Sequence, residues 1–428
     1  MRTSLKAVIG DLLIDGTGAE PLRDGVVLIE DGIIQAVGQR DSVKVPTGAD
    51  IINGTGLTVM PGMIDAHIHL VGRRRNDRVG IVNDMVLNRE LCTARAVADA
   101  YTILEHGYTT ARCCGSWTSL GVKMAIEEGT IQGPRLMIAR AAISQTFGHA
   151  DVHNLPLEWV KNRGSWFGVL ADGVDECRRV AREQLRERAD FLKICTSGGA
   201  GSQLDDCEFP QYTLDEIKAI VYEAHCVGKM VASHAHGLPG IKLALAGDVD
   251  TFEHSAWLDE ESAREIAKRG KFVVPTCYNP IRSYERTQGF TEQGDSPDWS
   301  FRKTQQIYWL DQKRVRMARE LGVKQAIATD WTGIGAYDVS MEMWAFMELG
   351  GYTALEAITC CTKVGSECVG LADKVGTLEA GKLADVILLE GDPLQDIKVL
   401  VPKENIKLVL KGGGVEVNRG IKITSGSR

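Results

Sequence analysis

The sequence predicts an α/β fold: a (β/α)8 TIM barrel with a small β-sandwich-like domain formed from both chain ends. The central part of the chain repeats a strand, loop and helix pattern, whereas both ends show short apolar runs separated by Asp-Gly and Asn-Gly turns. The 428 residues also suffice for a barrel-sized domain and a smaller one. We expect a discontinuous small β domain at 1–60 and 371–428, and the barrel at 61–370.

The two chain ends share one style of sequence. Residues 5–60 contain the turns IDGTG, RDGVV, EDGII and INGTG between runs rich in Val, Ile and Leu, which is typical of small antiparallel strands. Residues 375–419 repeat this style in GTLEAGKLADVILLEGDP and IKLVLKGGGVEV. We therefore expect both ends to meet in one β domain.

The middle of the chain contains eight candidate strands, and helical segments such as residues 174–190 lie between them. Parallel strands that alternate with helices close into a barrel when there are eight of them. The loops at about 141–172 and 280–303 are long, which is typical of lids or binding loops. The candidate strands are GMIDAHIHL (62–70), YTTARCC (108–114), RLMIAR (135–140), FLKICT (191–196), MVASHAH (230–236), DTFEHS (250–255), KFVVPTCY (271–278) and QAIATD (325–330).

Composition and charge indicate a small-molecule substrate. Lys and Arg number 49 against 57 Asp and Glu, a net charge of −8, and the basic residues are scattered, which argues against nucleic acid or an anionic membrane as a partner. Charged Lys6, Asp11 and Asp15 interrupt the N-terminus where a secretory signal needs an apolar run. The eleven cysteines form no CxxC framework, so we expect reduced, mostly buried thiols and a cytoplasmic location.

Several metal-ligand residue types fall at strand ends. His67 and His69 are two apart, so on a strand both imidazoles point to one face, although such a pair can also be a hydrogen-bonded interior pair. His234, His254 and Asp330 end the fifth, sixth and eighth candidate strands, where barrel active sites form. The pattern predicts a metal centre at this end of the barrel.

Together with the flanking stretches VMPGMIDAHIHL and GKLADVILLEGDPL, these residues resemble the amidohydrolase superfamily over essentially the whole chain. The resemblance implies that His67 and His69 hold one divalent metal ion and that His234 and His254 hold a second. It also implies that Asp330 binds the first ion and handles protons. Zinc is the first candidate, and manganese, cobalt and iron suit the same donors.

Lys193 interrupts the apolar strand FLKICT, where lysine is rarely found without a partner. A protonated ammonium has no lone pair and cannot bind a cation, whereas a neutral amine beside two ions can take up carbon dioxide. The resulting carbamate offers two oxygens that can bridge both metals. Superfamily members with a lysine at the end of the fourth strand look like this. The alternative is an ion pair between Lys193 and a nearby carboxylate.

A two-metal site predicts a hydrolytic mechanism. Water held between two ions loses a proton near neutral pH, and we expect the resulting hydroxide to attack a substrate carbonyl. Asp330 would then act as general base and later, toward the departing nitrogen, as general acid.

The stretches SQTFGHAD, ADGVDECRR, LKICTSGG and SHAHG resemble a narrower group that contains Xaa-Pro dipeptidases, N-acyl-amino-acid and dipeptide hydrolases, and ochratoxinase. These enzymes cleave an amide bond next to a carboxylate-bearing residue. The likeness implies an N-acyl amino acid, an Xaa-Pro-type dipeptide or an aromatic, ochratoxin-like amide as substrate. By the same likeness His149 and His236 hydrogen-bond the substrate, and His236 is equally a candidate to support the ligand His234.

Aromatic residues and one arginine are further candidates near the substrate. The Tyr278 hydroxyl could donate to the oxyanion of the reaction, or its ring could simply pack. Arg140, which ends the third candidate strand, is the only arginine suggested as a carboxylate anchor. Five tryptophans in loops after barrel strands could bind a flat substrate or pack the loops onto the barrel: Trp117, Trp159, Trp166, Trp257 and Trp331.

Other functions remain open at the level of sequence. A hydrolase of a xenobiotic aryl urea or carbamate would use the same site. A metal-dependent deaminase usually needs one metal and no lysine on the fourth strand, so Lys193 argues against it. A non-catalytic barrel homologue is disfavoured because no ligand position is missing. The resemblance also implies a homo-oligomer, although no stretch identifies an interface.

Overall fold

The structure is a computed structural model and describes residues 4–74, 87–293, 296–333, 337–338 and 340–426. Strands are numbered along the chain, and helices are named by their ranges. The strands are β1 Leu5–Leu13, β2 Leu22–Glu30, β3 Ile33–Gln39, β4 Asp50–Pro61, β5 Met63–Ile68, β6 Tyr108–Cys113, β7 Arg135–Ile138, β8 Ala142–Ser144, β9 Gly168–Leu170, β10 Leu192–Cys195, β11 Val231–His234, β12 Thr251–Glu253, β13 Phe272–Val274, β14 Lys324–Gln325, β15 Val386–Glu390, β16 Ile406–Lys411, β17 Gly414–Asn418 and β18 Ile423–Thr424.

Helices lie between most of the central strands, as the sequence predicts. Capping boxes at Thr213 and Thr353 begin two of these helices. The α-helices are Arg89–Glu105, Ser119–Glu127, Leu157–Arg163, Val174–Arg186, Leu214–His225, Leu238–Ala246, Glu260–Lys268, Tyr278–Arg286, Asp298–Glu320, Ser340–Gly350, Ala354–Cys361 and Lys363–Cys368, and short 3-10 turns cover Ile397–Leu400 and Lys403–Asn405.

Both chain ends meet in one sheet. Its eight strands run in the order β17-β16-β15-β4-β1-β2-β3, and β18 pairs with β4. Strand β4 lies between β1, which is parallel to it, and β15, which is antiparallel to it. The expectation that the two ends pair is therefore met, while the sandwich-like arrangement and the domain boundaries at 1–60, 61–370 and 371–428 stay predictions.

Both faces of strand β15 in the terminal sheet are buried. Val386 and Leu388 pack among the other strands of the sheet, whereas Ile387 and Leu389 join the cluster that contains Ile103 of helix Arg89–Glu105. Each fully buried side chain of this kind contributes about 1.5–3 kcal/mol to folding. Because one face packs on the barrel helices, the sheet and the barrel share core residues.

The central strands form a TIM-barrel-like fold. Seven of the eight predicted strands contain an observed one, namely β5, β6, β7 and β10 to β13, whereas the eighth, predicted at 325–330, shares only Gln325 with β14. The strands belong to two parallel sheets: β5-β6-β7, and β14-β13-β12-β11-β10-β8-β9. The carboxyl ends of parallel strands lie on the same side of a barrel, so the candidate ligands are brought to one side.

The third predicted strand, 135–140, is shorter than expected. It stops at Ile138 because Arg140 adopts a left-handed conformation with φ 68°, which an extended strand cannot contain. The chain then resumes as β8, which pairs with β10 at Ile143 and Ile194. The two sheets of the barrel are therefore separated at this turn.

The barrel closes between β5 and the segment after β14. The Ala66 amide donates to the Ile327 carbonyl at 3.0 Å, and the Asp330 amide donates to the His67 carbonyl at 2.8 Å. A further amide, that of His69, donates to the Trp331 carbonyl at 2.8 Å. These bonds hold Asp330 directly beside the two histidines of β5.

The two long loops contain regular structure. The first, 141–172, includes β8, helix Leu157–Arg163 and β9, and the second, 280–303, consists largely of parts of helices Tyr278–Arg286 and Asp298–Glu320. Nine of the eleven cysteines are buried, and all eleven are free thiols. Within the described ranges, no helix has the length and hydropathy needed to cross a membrane.

Asp385 joins the terminal sheet to the barrel and should be important for stability. Its carboxylate accepts from Arg135 of β7 at 2.8 Å and from the Gly412 amide at 2.8 Å. Asp385→Ala should lower the free energy of unfolding by about 3 kcal/mol, because it leaves a partly buried arginine unpaired. Urea unfolding would measure this. The exposed Asp373 provides the control, since Asp373→Ala should change stability by less than about 0.5 kcal/mol; equal effects would contradict the assignment.

Candidate active site

A cavity of about 360 Å³ opens at the carboxyl ends of the barrel strands. This volume lies within the range of small-molecule sites. Four arginines also contribute to its wall: Arg73, Arg282, Arg286 and Arg314. The predicted ligands and substrate histidines that line it are His67, His69, His149, Lys193, His234, His236, His254 and Asp330.

The first group of donors consists of His67, His69 and Asp330. The two Nε2 atoms are 3.3 Å apart, and Asp330 Oδ1 lies 3.5 Å from His67 Nε2 and 3.3 Å from His69 Nε2. Zinc–nitrogen and zinc–oxygen bonds of about 2.0–2.1 Å place tetrahedral ligand atoms about 3.4 Å apart. The three donors therefore fit one metal ion.

Each of the four predicted histidine ligands uses one ring nitrogen to hydrogen-bond the protein. The other nitrogen of each ring is left for a ligand, which is the usual arrangement around protein metal sites. The bonds run from His67 Nδ1 to Glu253 (2.6 Å), from His69 Nδ1 to the Gly115 carbonyl (2.8 Å), from His234 Nε2 to the Gly198 carbonyl (3.1 Å) and from His254 Nδ1 to Thr276 Oγ1 (2.7 Å).

Lys193 lies on the floor of the cavity with 1% of its surface exposed. Its Nζ has no hydrogen-bond partner in the part of the chain that the structure describes. A buried ammonium without a partner is costly, so the ion pair with a carboxylate that the sequence left open is not found among these residues. An orphaned lysine nitrogen next to histidines and a carboxylate fits a carbamate better than an ammonium.

The charges of the donors suit a cation. Burial lowers the pKa of His67 to about 4 and, with neighbouring histidines, holds the pKa values of His234 and His254 well below the usual range. Burial opposes ionisation of Asp330, but the hydrogen bond from His69 lowers its pKa to about 2. At neutral pH His67, His234 and His254 thus offer neutral nitrogens, and Asp330 offers a carboxylate.

The two histidines predicted to contact substrate flank the second pair of ligands. The His149 ring stacks on His234 with 3.9 Å between centroids, and the His236 ring stacks on His254 at 4.8 Å. His236, His234 and His254 form a second group that could hold an ion. His236 Nδ1 is buried and has no partner among the described residues.

Several predicted site residues lie elsewhere. Tyr278 begins helix Tyr278–Arg286 and its ring meets Trp344 edge-on at 6.4 Å, outside the cavity lining. Trp331 is 6% exposed and packs in the core against Tyr337, and Arg140 bonds Glu187 at 3.1 Å. These placements do not support the predicted oxyanion, substrate and carboxylate roles.

Of the five tryptophans considered, Trp166 lines the cavity, where Arg73 lies 4.6 Å above its ring. Trp117 borders a smaller neighbouring pocket and donates to the Ser165 carbonyl at 2.6 Å. Trp159 is 54% exposed. Of the two alternatives that the sequence left open, substrate binding fits the position of Trp166, whereas packing of loops fits the other tryptophans better.

Glu253, which the sequence analysis did not select, is the central buried charge of the site. It is fully buried on β12, accepts from His67, and receives the Arg112 guanidinium at 2.8 Å. Burial raises its pKa, but the charge of Arg112 and the hydrogen bond from His67 outweigh burial and hold the pKa of Glu253 well below its usual range. A carboxylate that directly precedes His254 on a short buried strand was the signal in the sequence.

Imidazoles, a carboxylate and an orphaned lysine at the carboxyl ends of a TIM-barrel-like fold form a candidate metal site of the kind that metallohydrolases use. Residues 58–415 match the amidohydrolase family. The chain belongs to this family and is a hydrolase acting on carbon–nitrogen bonds. Proteins of this family are typically metal-dependent.

Known relatives agree with this assignment. Ochratoxinase of Aspergillus niger is 32% identical over 97% of this chain and 87% of its own length. The crystal structure of A. niger ochratoxinase has a TM-score of 0.90, with 99% of this chain and 98% of that chain covered. A prolidase complexed with N-methylphosphonate-L-proline has a TM-score of 0.86 at 29% identity, with 96% and 99% coverage.

Replacement of Glu253 should destabilise the protein strongly. Glu253→Gln leaves the buried Arg112 without its countercharge, so the free energy of unfolding should fall by about 3–5 kcal/mol. Urea unfolding measures the change. A matched control is Glu187→Gln, because the partly exposed Glu187 pairs with Arg140 and its loss should cost less than about 1 kcal/mol. Comparable losses in both variants would contradict this view of Glu253.

Proposed function

We propose that this protein is a two-metal amide hydrolase acting on an N-acyl amino acid, an Xaa-Pro-type dipeptide or an ochratoxin-like aromatic amide. One ion would be held by His67, His69 and Asp330. The other would be held by His234 and His254, and a carbamate on Lys193 would bridge both. The observation on which this rests is the Lys193 Nζ, buried among these ligands without a partner in the described residues.

Divalent ions would supply Lewis-acid polarisation of a carbonyl and acidify water. The residues of the chain then manage protons and orientation. Asp330 Oδ1 faces the two Nε2 atoms of β5, so its carboxylate can take a proton from the nucleophile and deliver it to the departing nitrogen. His149 and His236 lie on the cavity wall beside His234, where a substrate can hydrogen-bond to them.

The residues of the cavity wall favour a substrate that has both an anionic group and an apolar group. Arg282 and Arg286 lie four residues apart on one helix and both line the cavity, so they replace Arg140 as candidates to bind a carboxylate. Arg282 also bonds Asn279 at 2.9 Å and Asp338 at 3.3 Å, which fixes its guanidinium. Trp166 and Phe167 offer aromatic surface for an aryl group.

The number of bound metal ions distinguishes the proposed hydrolase, which would bind two per chain, from a deaminase, which usually binds one. We expect the metal-loaded protein to contain two ions per chain and Lys193→Met to lose affinity for at least one of them by about 10-fold or more. Metal analysis after dialysis measures the stoichiometry, and 13C-bicarbonate labelling followed by NMR detects the carbamate carbon.

The control for this loss is a second lysine. Lys271 is similarly buried, bonds the Asp248 carbonyl at 2.9 Å and lies outside the cavity lining, so Lys271→Met should keep both ions. A crystal structure of the metal-loaded enzyme with an unmodified ammonium at Lys193 would contradict the proposed bridge.

Asp330→Asn tests the proton-transfer role. The amide keeps the size of the side chain, so metal should stay bound, whereas hydrolysis should fall by about 10²–10⁴-fold through loss of general acid–base catalysis. The assay would screen N-acyl amino acids, Xaa-Pro and other dipeptides, aryl amides and aryl ureas with metal-loaded wild-type enzyme. A fully active Asp330→Asn enzyme would refute the role, and a preference for ureas would favour the xenobiotic hydrolase.

A further inference from the structure

His149 belongs to a closed ring of buried hydrogen bonds, and the other members of this ring have no role in the proposed proton transfers. Its backbone amide donates to Gln211 Oε1 at 3.0 Å, and its Nδ1 lies 3.0 Å from Ser202 Oγ. Gln211 Nε2 donates to Asp205 Oδ2 at 3.1 Å, and Ser202 Oγ lies 2.5 Å from Asp205 Oδ1. The side chains of Ser202, Asp205 and Gln211 are all at most 4% exposed.

Lys303 links this hydrogen-bonded ring to helix Asp298–Glu320 of the barrel. Its ammonium, on helix Asp298–Glu320, donates to the carbonyls of Gly199 (3.1 Å), Ser202 (2.8 Å) and Asp205 (2.6 Å), and contacts Asp205 Oδ1 at 3.3 Å. Lys303 is 6% exposed, so these acceptors replace its water. The loop after β10 is therefore held at a fixed position under His149.

Gly199 allows the loop to approach both histidines closely. A Cβ at this position would lie 2.3 Å from His149 Cε1 and 2.8 Å from His234 Nε2. Any side chain would therefore push the imidazoles apart. The stacking of His149 on His234 depends on this glycine as well as on the hydrogen-bonded ring.

The direction of the hydrogen bonds fixes where His149 carries its proton. The Asp205 carboxylate forms an ion pair with Lys303 through Oδ1 and accepts from Gln211 through Oδ2. Ser202 Oγ lies 2.5 Å from the carboxylate oxygen Asp205 Oδ1, a separation that requires the hydroxyl hydrogen between the two oxygens, so Ser202 donates to Asp205 and not to His149 Nδ1. Ser202 Oγ must then accept from His149 Nδ1–H, which leaves the lone pair of a neutral His149 on Nε2.

We propose that Ser202, Asp205, Gln211 and Lys303 are positioning residues that hold His149 as the Nδ1–H tautomer, so that Nε2 accepts a hydrogen bond from the substrate. A scissile amide that bears an N–H can supply this donor, whereas a prolyl amide has no amide hydrogen. The site therefore favours secondary amides over Xaa-Pro bonds. This substrate preference rests on the proposed function, but the tautomer does not.

Neutron diffraction tests the tautomer on the unaltered, metal-loaded protein. We expect deuterium on His149 Nδ1 and on the Ser202 hydroxyl pointing to Asp205, with none on His149 Nε2. Deuterium on Nε2 would overturn the proposal. Because this measurement needs neither a variant nor turnover, it stays decisive if a variant does not fold or if the enzyme acts on another substrate.

The substrate preference is tested with N-benzoylphenylalanine and its N-methyl analogue, with rates divided by those of alkaline hydrolysis. Wild-type kcat/KM should favour the N–H compound by about 10-fold, the value of one hydrogen bond. Ser202→Ala should reduce this preference to less than about 3-fold, and Ser202→Thr, which restores the hydroxyl, should recover it. Equal wild-type rates, or full preference in Ser202→Ala, would overturn the substrate preference.

The control variant is Ser262→Ala. Ser262 is 2% exposed, like Ser202, but its hydroxyl has no partner in the described ranges and it lies on helix Glu260–Lys268, outside the cavity lining. It should keep the wild-type preference. A wild-type enzyme that hydrolyses neither compound, nor any amide in the screen above, would count against the proposed function, whereas the neutron result would still decide the tautomer.

Discussion

The candidate active site depends on one buried carboxylate. Glu253 of β12 receives Arg112 of β6 at 2.8 Å and His67 of β5 at 2.6 Å, so three strands of the barrel are tied at one point. A buried charge of this kind is tolerated only when its partners are in place, which constrains the register of those strands. The hydrogen bond between His67 Nδ1 and Glu253 also orients His67 Nε2 toward Asp330. The geometry of the candidate metal ligands thus depends on an ion pair that lies outside the cavity lining.

Backbone conformation at the strand ends completes the arrangement. His254 and Asp330 both adopt left-handed φ values, 67° and 55°, and such residues cost of order 1–3 kcal/mol each. The surrounding structure offsets this cost, because the His254 amide donates to the Val274 carbonyl and the Asp330 amide donates to the His67 carbonyl. The turn at each of these two residues directs its side chain into the cavity. The carboxyl ends of barrel strands can therefore carry ligands that no regular strand could orient.

Much of the fold and most of the site could be predicted because periodicity and strand ends are local signals. The two histidines His67 and His69, and the charged Lys193 within an apolar strand, can each be recognised from a few neighbouring residues of sequence. Glu253 was missed because its importance comes from a partner more than a hundred residues away in the chain. The positions of Arg140 and Trp331 outside the cavity lining could not be predicted, because left-handed backbone at Arg140 and at Asp330 decides where the side chains of these turns lie.

The order of strands in the terminal sheet has a consequence for synthesis. Strand β4 pairs with β1 soon after both leave the ribosome, but its other neighbour, β15, ends at Glu390. At ordinary translation rates, roughly 20–60 s separate the two events. During this interval one edge of β4 is open while the barrel folds beside it, and an open edge is a site of mispairing. Efficient production of this enzyme would then depend on how fast residues 62–390, which separate β4 from the end of β15, are translated.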